Sequence, residues 1–224
     1  MALNFGSAHN QTSLPFSSSR RRLMIGGALV GLAGTTGIAA LNPRDAKASD
    51  ASTDAAANDI EVLNGALYYE HQAIWAYSAA AGGLSQSDVG QVVLKIALAN
   101  QDDHKVHRDT LMQVIEDLGG MPVMAESEYD LSSYLENGDG GLDSDVNIAK
   151  LALALETDAA IAYTSEVARL QTPGLITAGA TIAAAEASHA TTIRAAFISL
   201  GVDIEYVPAP FVSADTRSNW ILKV

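Results

Sequence analysis

The chain has 224 residues, 48% of them apolar and 6% aromatic, with 13 Lys and Arg against 26 Asp and Glu and no cysteine. That length suits one domain or two small ones, the apolar share excludes a wholly disordered protein, and the lack of cysteine excludes a disulfide framework, a zinc ribbon and a thiol nucleophile. Residues 1–48 carry five basic side chains and one acidic, leaving 8 basic against 25 acidic and a net charge of −17 beyond them, a balance that repels nucleic acid and anionic lipid.

In chain order, Arg20, Arg21 and Arg22 precede a mildly apolar run at 24–41 with five glycines, and Ala46-Lys47-Ala48 follows as a small-x-small cleavage signal. This is the layout of a secretory signal peptide over 1–48. The stretch Ser19-Arg20-Arg21-Arg22-Leu23-Met24 resembles the twin-arginine export motif, which a glycine-rich core suits. That resemblance implies export in the folded state, often with a cofactor already inserted. An uncleaved membrane anchor is the competing reading, but the run is shorter and richer in glycine than a spanning helix. The mature protein is therefore expected to start near Ser49, to be periplasmic or secreted, and to have no membrane association after cleavage.

Residues 49–57 are small and polar and read as a flexible tether. Asn58, with Glu61 three positions on, forms a capping box and opens a helix that runs to Gly82-Gly83. A second helix starts within 85–87 and runs to 118, stopped by Gly119-Gly120 with Pro122 beyond. An acidic, glycine-bearing connection follows from 121 to about 144, with a short helical turn at 131–135. The third helix covers 145–170. The fourth opens on Thr172 as cap with Pro173 in its first turn and ends at Gly201. The tail, 202–224, holds Pro208, Pro210, Phe211 and Trp220 and is expected to lie across the bundle or against another subunit. No stretch alternates with period two for long enough to make a sheet. The fold class is all-α: a four-helix bundle over 58–201 with two short hairpins and a long crossover between helices two and three.

An internal repeat supports this topology. Residues 66–77 and 152–163 match at 6 of 12 positions, including Glu70 with Glu156 and Tyr77 with Tyr163. His107, Thr110, Leu118 and Gly119 recur at identical spacing as His189, Thr192, Leu200 and Gly201. Two helices have been duplicated into four.

The chemistry lies in the stripes that helical spacing assigns to the core. Helix one reads Leu63, Ala66 with Leu67, Glu70, Ile74, Tyr77, Ala81. Helix two reads Val93, Ile96 with Ala97, Asn100, His104, His107, Leu111, Val114, Leu118. Helix three reads Ala152, Glu156, Ala159, Tyr163, Val167, Leu170, and helix four Ile176, Ala183, Glu186, His189, Ile193, Phe197, Leu200. Every helix thus puts ionisable groups in the middle of its buried face. Burying an unpaired carboxylate costs several kcal/mol, and three facing one another would have to protonate or leave the core. A divalent cation resolves this, because carboxylates and neutral imidazoles converge on it as ligands and the binding energy stabilises the fold. The i, i+3 spacing of Glu186 and His189 puts both on one helix face. The candidate metal ligands are Glu70, His104, His107, Glu156, Glu186 and His189; the competing reading is a buried polar network without metal.

These residues resemble the ferritin-like superfamily of carboxylate-bridged di-metal proteins, which includes ferritin, rubrerythrin and manganese catalase. The likeness covers about residues 58–201. The family pattern is one glutamate from each of helices one and three and Glu-x-x-His from each of helices two and four. Glu70, Glu156 and the pair Glu186 and His189 match it; helix two departs, with His104 where the family has glutamate. The resemblance implies that glutamates of helices two and four bridge two metals, a role a neutral imidazole does not fill in the same way. Three consequences follow: a di-metal site with one carboxylate bridge, a single-metal site, or a bundle without metal. Asp103, about 100° around the helix from His104, is read as solvated, like Asp102, with reaching in to replace the family's glutamate as the alternative. Tyr77 and Tyr163 are read as core tyrosines with bonded hydroxyls, with ligand contact or radical chemistry as the alternative. His71 is read as exposed and Trp75 as packing.

Two functions compete. One is an exported redox protein using one or two iron or manganese ions on a small-molecule oxidant, peroxide or dioxygen. In it Glu70 and Glu156 are terminal ligands, Glu186 the bridge, His107 and His189 nitrogen ligands, and His104 an added ligand. The other is a non-enzymatic ferritin-like scaffold, in stress protection or metal binding. No nucleic-acid partner is expected, and a homo-oligomer is left open.

Overall fold

A computed structural model of the chain describes residues 46–224, with side chains from Thr53 onward. The arginine run and the apolar run at 20–41 lie outside the described residues. Four long helices make the bundle: α1 (Ala46–Ala81), α2 (Asp88–Asp117), α4 (Asp145–Val167) and α5 (Pro173–Ser199). Two short ones, α3 (Ser132–Glu136) and α6 (Arg217–Trp220), sit in the crossover and the tail. No strand occurs among the described residues. α1 pairs most extensively with α2 and α4 with α5, so the bundle is two helical hairpins joined by the crossover.

The helix ends follow from local chemistry. Ser87 and Ser144 cap α2 and α4, accepting from the N–H of Gly90 and Asn147 and satisfying donors the first turn leaves free. Gly119 and Gly201 end α2 and α5 at φ 84° and 87°. Behind them, Gly120 N–H bonds Ile115 O and Val202 N–H bonds Phe197 O, both at 2.9–3.1 Å. This is the same glycine-terminated closure in both halves, and it is the structural content of the repeated Leu-Gly pair.

The first helix differs from expectation. It begins at Ala46, so 49–57 is helical and not a tether; Ala55, Ala56 and Ala57 are the best helix formers and extend it without a new cap. The capping box at Asn58 does not form. Asn58 instead donates Nδ2 to the Arg169 carbonyl at 2.8 Å. Beside it, buried Asp59 accepts from the N–H groups of Gln171 and Thr172 at 2.7 and 3.0 Å. Thr172 stands at the cap position of α5, but its own side chain makes no cap bond. The two N–H groups just ahead of α5 are instead held from α1.

The apolar core is divided. Leu63, Leu67, Leu111, Ile115 and Leu175 pack one end of the bundle, and Val93, Ile148, Leu153, Ile193 and Phe197 pack the other. Each such side chain contributes about 1.5–3 kcal/mol on burial, which offsets the cost of the polar layer between them. The tail folds back on its own bundle. Arg194, buried on α5, donates to the carbonyls of Glu205 and Trp220 at 2.8 and 2.6 Å. Arg217 bridges Asp158 and Asp139 at 2.6–2.9 Å, and Trp220 is buried. Among the described residues no helix is long and apolar enough to cross a membrane.

Candidate metal centre

The polar layer contains all six residues that the stripes single out. Glu70 comes from α1, His104 and His107 from α2, Glu156 from α4, and Glu186 and His189 from α5; each is at most 5% exposed. They form two overlapping groups in which one ligand atom per residue lies within 4.8 Å of the others: Glu70, His104, His107 and Glu186, and His104, Glu156, Glu186 and His189. His104 and Glu186 belong to both.

The shared residues face both ways. His104 Nδ1 is 2.8 Å from Glu70 Oε2, and its Nε2 is 3.3 Å from Glu156 Oε1. Glu186 Oε1 is 3.0 Å from His107 Nδ1, and its Oε2 is 3.0 Å from His189 Nδ1. His189 Nδ1 is also 3.1 Å from Glu156 Oε2. The imidazole that replaces the expected glutamate on helix two therefore presents one nitrogen to each group.

Asp103 is half-buried and turned toward the site. Its Oδ2 lies 3.1 Å from His189 Nε2, and a carboxylate only accepts, so Nε2 carries the proton and Nδ1 is turned toward Glu156 and Glu186. The signal was in the sequence: positions 100, 103, 104 and 107 are a complete i, i+3, i+4, i+7 set. His71 is also buried, its Nε2 3.2 Å from the Val123 carbonyl of the crossover. The crossover covers a position that helical spacing alone leaves outside. Trp75 packs near Tyr129, with ring centroids 5.8 Å apart.

The carboxylates are held from behind. Tyr77 donates to Glu156 and Tyr163 to Glu70, each from the opposite half of the repeat. Asn100 donates Nδ2 to the Tyr77 hydroxyl at 3.1 Å and to Glu156 at 3.2 Å. Burial, then the facing carboxylates, push both tyrosine hydroxyls well above their ordinary range, so they remain protonated donors.

Burial works against charge on Glu70, Glu156 and the three histidines, and opposite charges override it. Glu70 is drawn down to about 2 by His104 and His107, and Glu156 is held well below its ordinary value by His189 and His104. His107 is raised to about 9 by Glu186 and Glu70. His104 and His189 are raised well above theirs by the surrounding glutamates. Glu70 and Glu156 thus demand positive charge, and protons on the facing imidazoles are one way to supply it.

The donor set fits a divalent cation on a specific observation. His107 Nδ1 and Glu186 Oε1 are both buried without a hydrogen-bond partner although they are 3.0 Å apart. Their approach lacks hydrogen-bond direction, which suits two lone pairs aimed at a common ion. Asp103 behind His189 supplies the outer carboxylate that orients a metal-binding imidazole. Oxygen and imidazole donors without thiolate suit a divalent first-row cation.

A family model described as a ferritin-like domain matches residues 58–199. Among solved structures, a conserved hypothetical protein, rv2844, from Mycobacterium tuberculosis shares the fold, with a TM-score of 0.53 at 23% identity over 62% of this chain and 96% of that one. No curated protein matches the sequence.

Proposed function

The chain belongs to the ferritin-like domain family, and from that premise we propose that its central layer is an iron or manganese centre, of one or two ions, acting on dioxygen or peroxide. The observation that carries this reading is the pair of overlapping ligand groups sharing His104 and Glu186. Glu70 and Glu156 would hold the outer sides of the centre, Glu186 would span its two halves, and His107 and His189 would add one nitrogen to each; His104 would face both. Iron or manganese supplies the one-electron cycling such a reaction needs. The protein's own part is to keep these donors fixed and dry: Tyr77, Tyr163 and Asn100 orient the carboxylates, and Asp103 fixes the tautomer of His189. Action outside the cytoplasm is part of the proposal, supported by Arg20, Arg21 and Arg22 ahead of the glycine-rich run.

A second reading is a ferritin-like scaffold. It is favoured by the balance of three raised imidazoles against three buried carboxylates, which lets protons alone satisfy the layer. Mixing metal-replete protein with hydrogen peroxide under an oxygen electrode separates the two. Oxygen release, or consumption of dissolved oxygen by the reduced protein, supports the enzyme. Inertness of fully loaded protein in both assays supports the scaffold.

A further inference from the structure

A cavity of about 320 Å³ opens between α1 and α4 and ends on His104 and Glu156. Exposed Tyr69 and half-buried Gln72, Tyr134 and Asp158 mark its outer end, while Tyr77, Glu156 and His104 are buried at its inner end. The space exists because of the repeat. Ala73 and Ala76 of α1 correspond to Ala159 and Ala162 of α4, and all four line the cavity. Alanine on both facing helices leaves room that larger side chains would fill, and α1 and α4 accordingly touch far less than the helices within each hairpin.

Size and charge restrict what belongs there. The volume lies at the lower end of the range of small-molecule pockets, and dioxygen or peroxide would occupy only a small part of it. Neither lysine nor arginine is among the lining residues. The carboxylate at the outer end, Asp158, is already held by Arg217 at 2.6 and 2.7 Å, and Glu156 stands at the inner end. The one cationic group at the walls, His104, is already engaged by Glu70 and Glu156, so an anion finds no free partner along them.

We propose that this cavity binds a small, uncharged, mostly apolar organic molecule, seated against the His104 and Glu156 side of the centre. The proposal rests on the metal reading for its role but not for its existence as a binding site. The test uses the full chain, with metal content measured on the same samples, titrated with 1-naphthol and with its charged counterpart 1-naphthoate. One 1-naphthol per chain is expected, with 1-naphthoate at least about tenfold weaker. Ala159→Phe and Ala73→Phe, from opposite walls, should each weaken 1-naphthol about tenfold while metal content and melting temperature hold. Neither residue lines the neighbouring cavity behind Tyr77, so their loss assigns the site. In cobalt-substituted protein, 1-naphthol should change the visible spectrum, because His104 and Glu156 face the ligand.

Absence of 1-naphthol binding by fully loaded protein overturns the proposal and leaves the metal reading standing. Equal binding of 1-naphthoate, or binding indifferent to both substitutions, also overturns it. Binding by protein that takes up no metal supports the cavity and removes the metal reading.

Discussion

Tyr77 donates its hydroxyl to Glu156, and Tyr163, its counterpart in the second half of the chain, donates to Glu70. Each half of the duplication therefore holds the carboxylate of the other, and the two hairpins are cross-tied through the polar layer. Replacing either tyrosine with phenylalanine leaves a buried carboxylate short of a donor, at a cost of about 1–3 kcal/mol. Tyr163→Phe should be the worse of the two, because Glu156 keeps Asn100 at 3.2 Å, whereas Glu70 has no such amide. Urea denaturation of both variants checks the order.

Asp103→Ala should free His189 to rotate and to carry its proton on either nitrogen. Loss of such an outer carboxylate weakens metal binding by roughly 10–100-fold. Competition against a chelator of known affinity measures this, while circular dichroism verifies that the helices are intact. An unchanged affinity would mean that His189 is held by packing alone.

The pH dependence follows from His107 and Glu70. In metal-free protein the folded value of His107 lies at about 9 against 6.5 ordinarily, so its contribution to stability is complete below pH 6.5 and lost as pH rises through about 9. Glu70 lies at about 2 against 4.5, so its contribution is complete above pH 4.5 and lost as pH falls through about 2. Melting temperature without metal should therefore peak between pH 4.5 and 6.5. Metal must displace the proton on His107, so affinity for manganese should climb with pH toward 9, and loaded protein should keep its stability above pH 6.5. Melting curves with and without manganese across this range test both halves.

His104→Glu restores a carboxylate between the two groups. Its oxygens lie on one side of the chain end, whereas the imidazole nitrogens of His104 point to Glu70 and Glu156 separately. The substitution should raise metal content toward two ions per chain and tighten binding, read by elemental analysis of dialysed protein. A content no higher than that of the parent would mean that the imidazole already serves both positions.

Much of this layer is legible in the sequence. The six central side chains were visible because each interrupts an apolar stripe, and the duplication placed them at matching depth in two hairpins. Asp103 stands beside that stripe and is half-buried, so helical spacing alone leaves both solvent and the site open to it. His71 and Arg194 were hidden for a different reason. Their burial comes from the crossover and the tail, segments without periodicity whose paths are set by contacts such as Val123 on His71 and Trp220 on Arg194. The start of α1 is not legible in the sequence, because a polar, alanine-bearing segment has the composition of a linker and the propensity of a helix.

The most direct test of the central claim is elemental analysis of the parent chain and of Glu186→Ala, both purified without chelators from cells supplied with iron and manganese. Glu186 belongs to both ligand groups, so the parent should carry roughly one to two ions per chain and the folded variant close to none. A parent chain without metal, or a variant that keeps the full complement, would contradict the account.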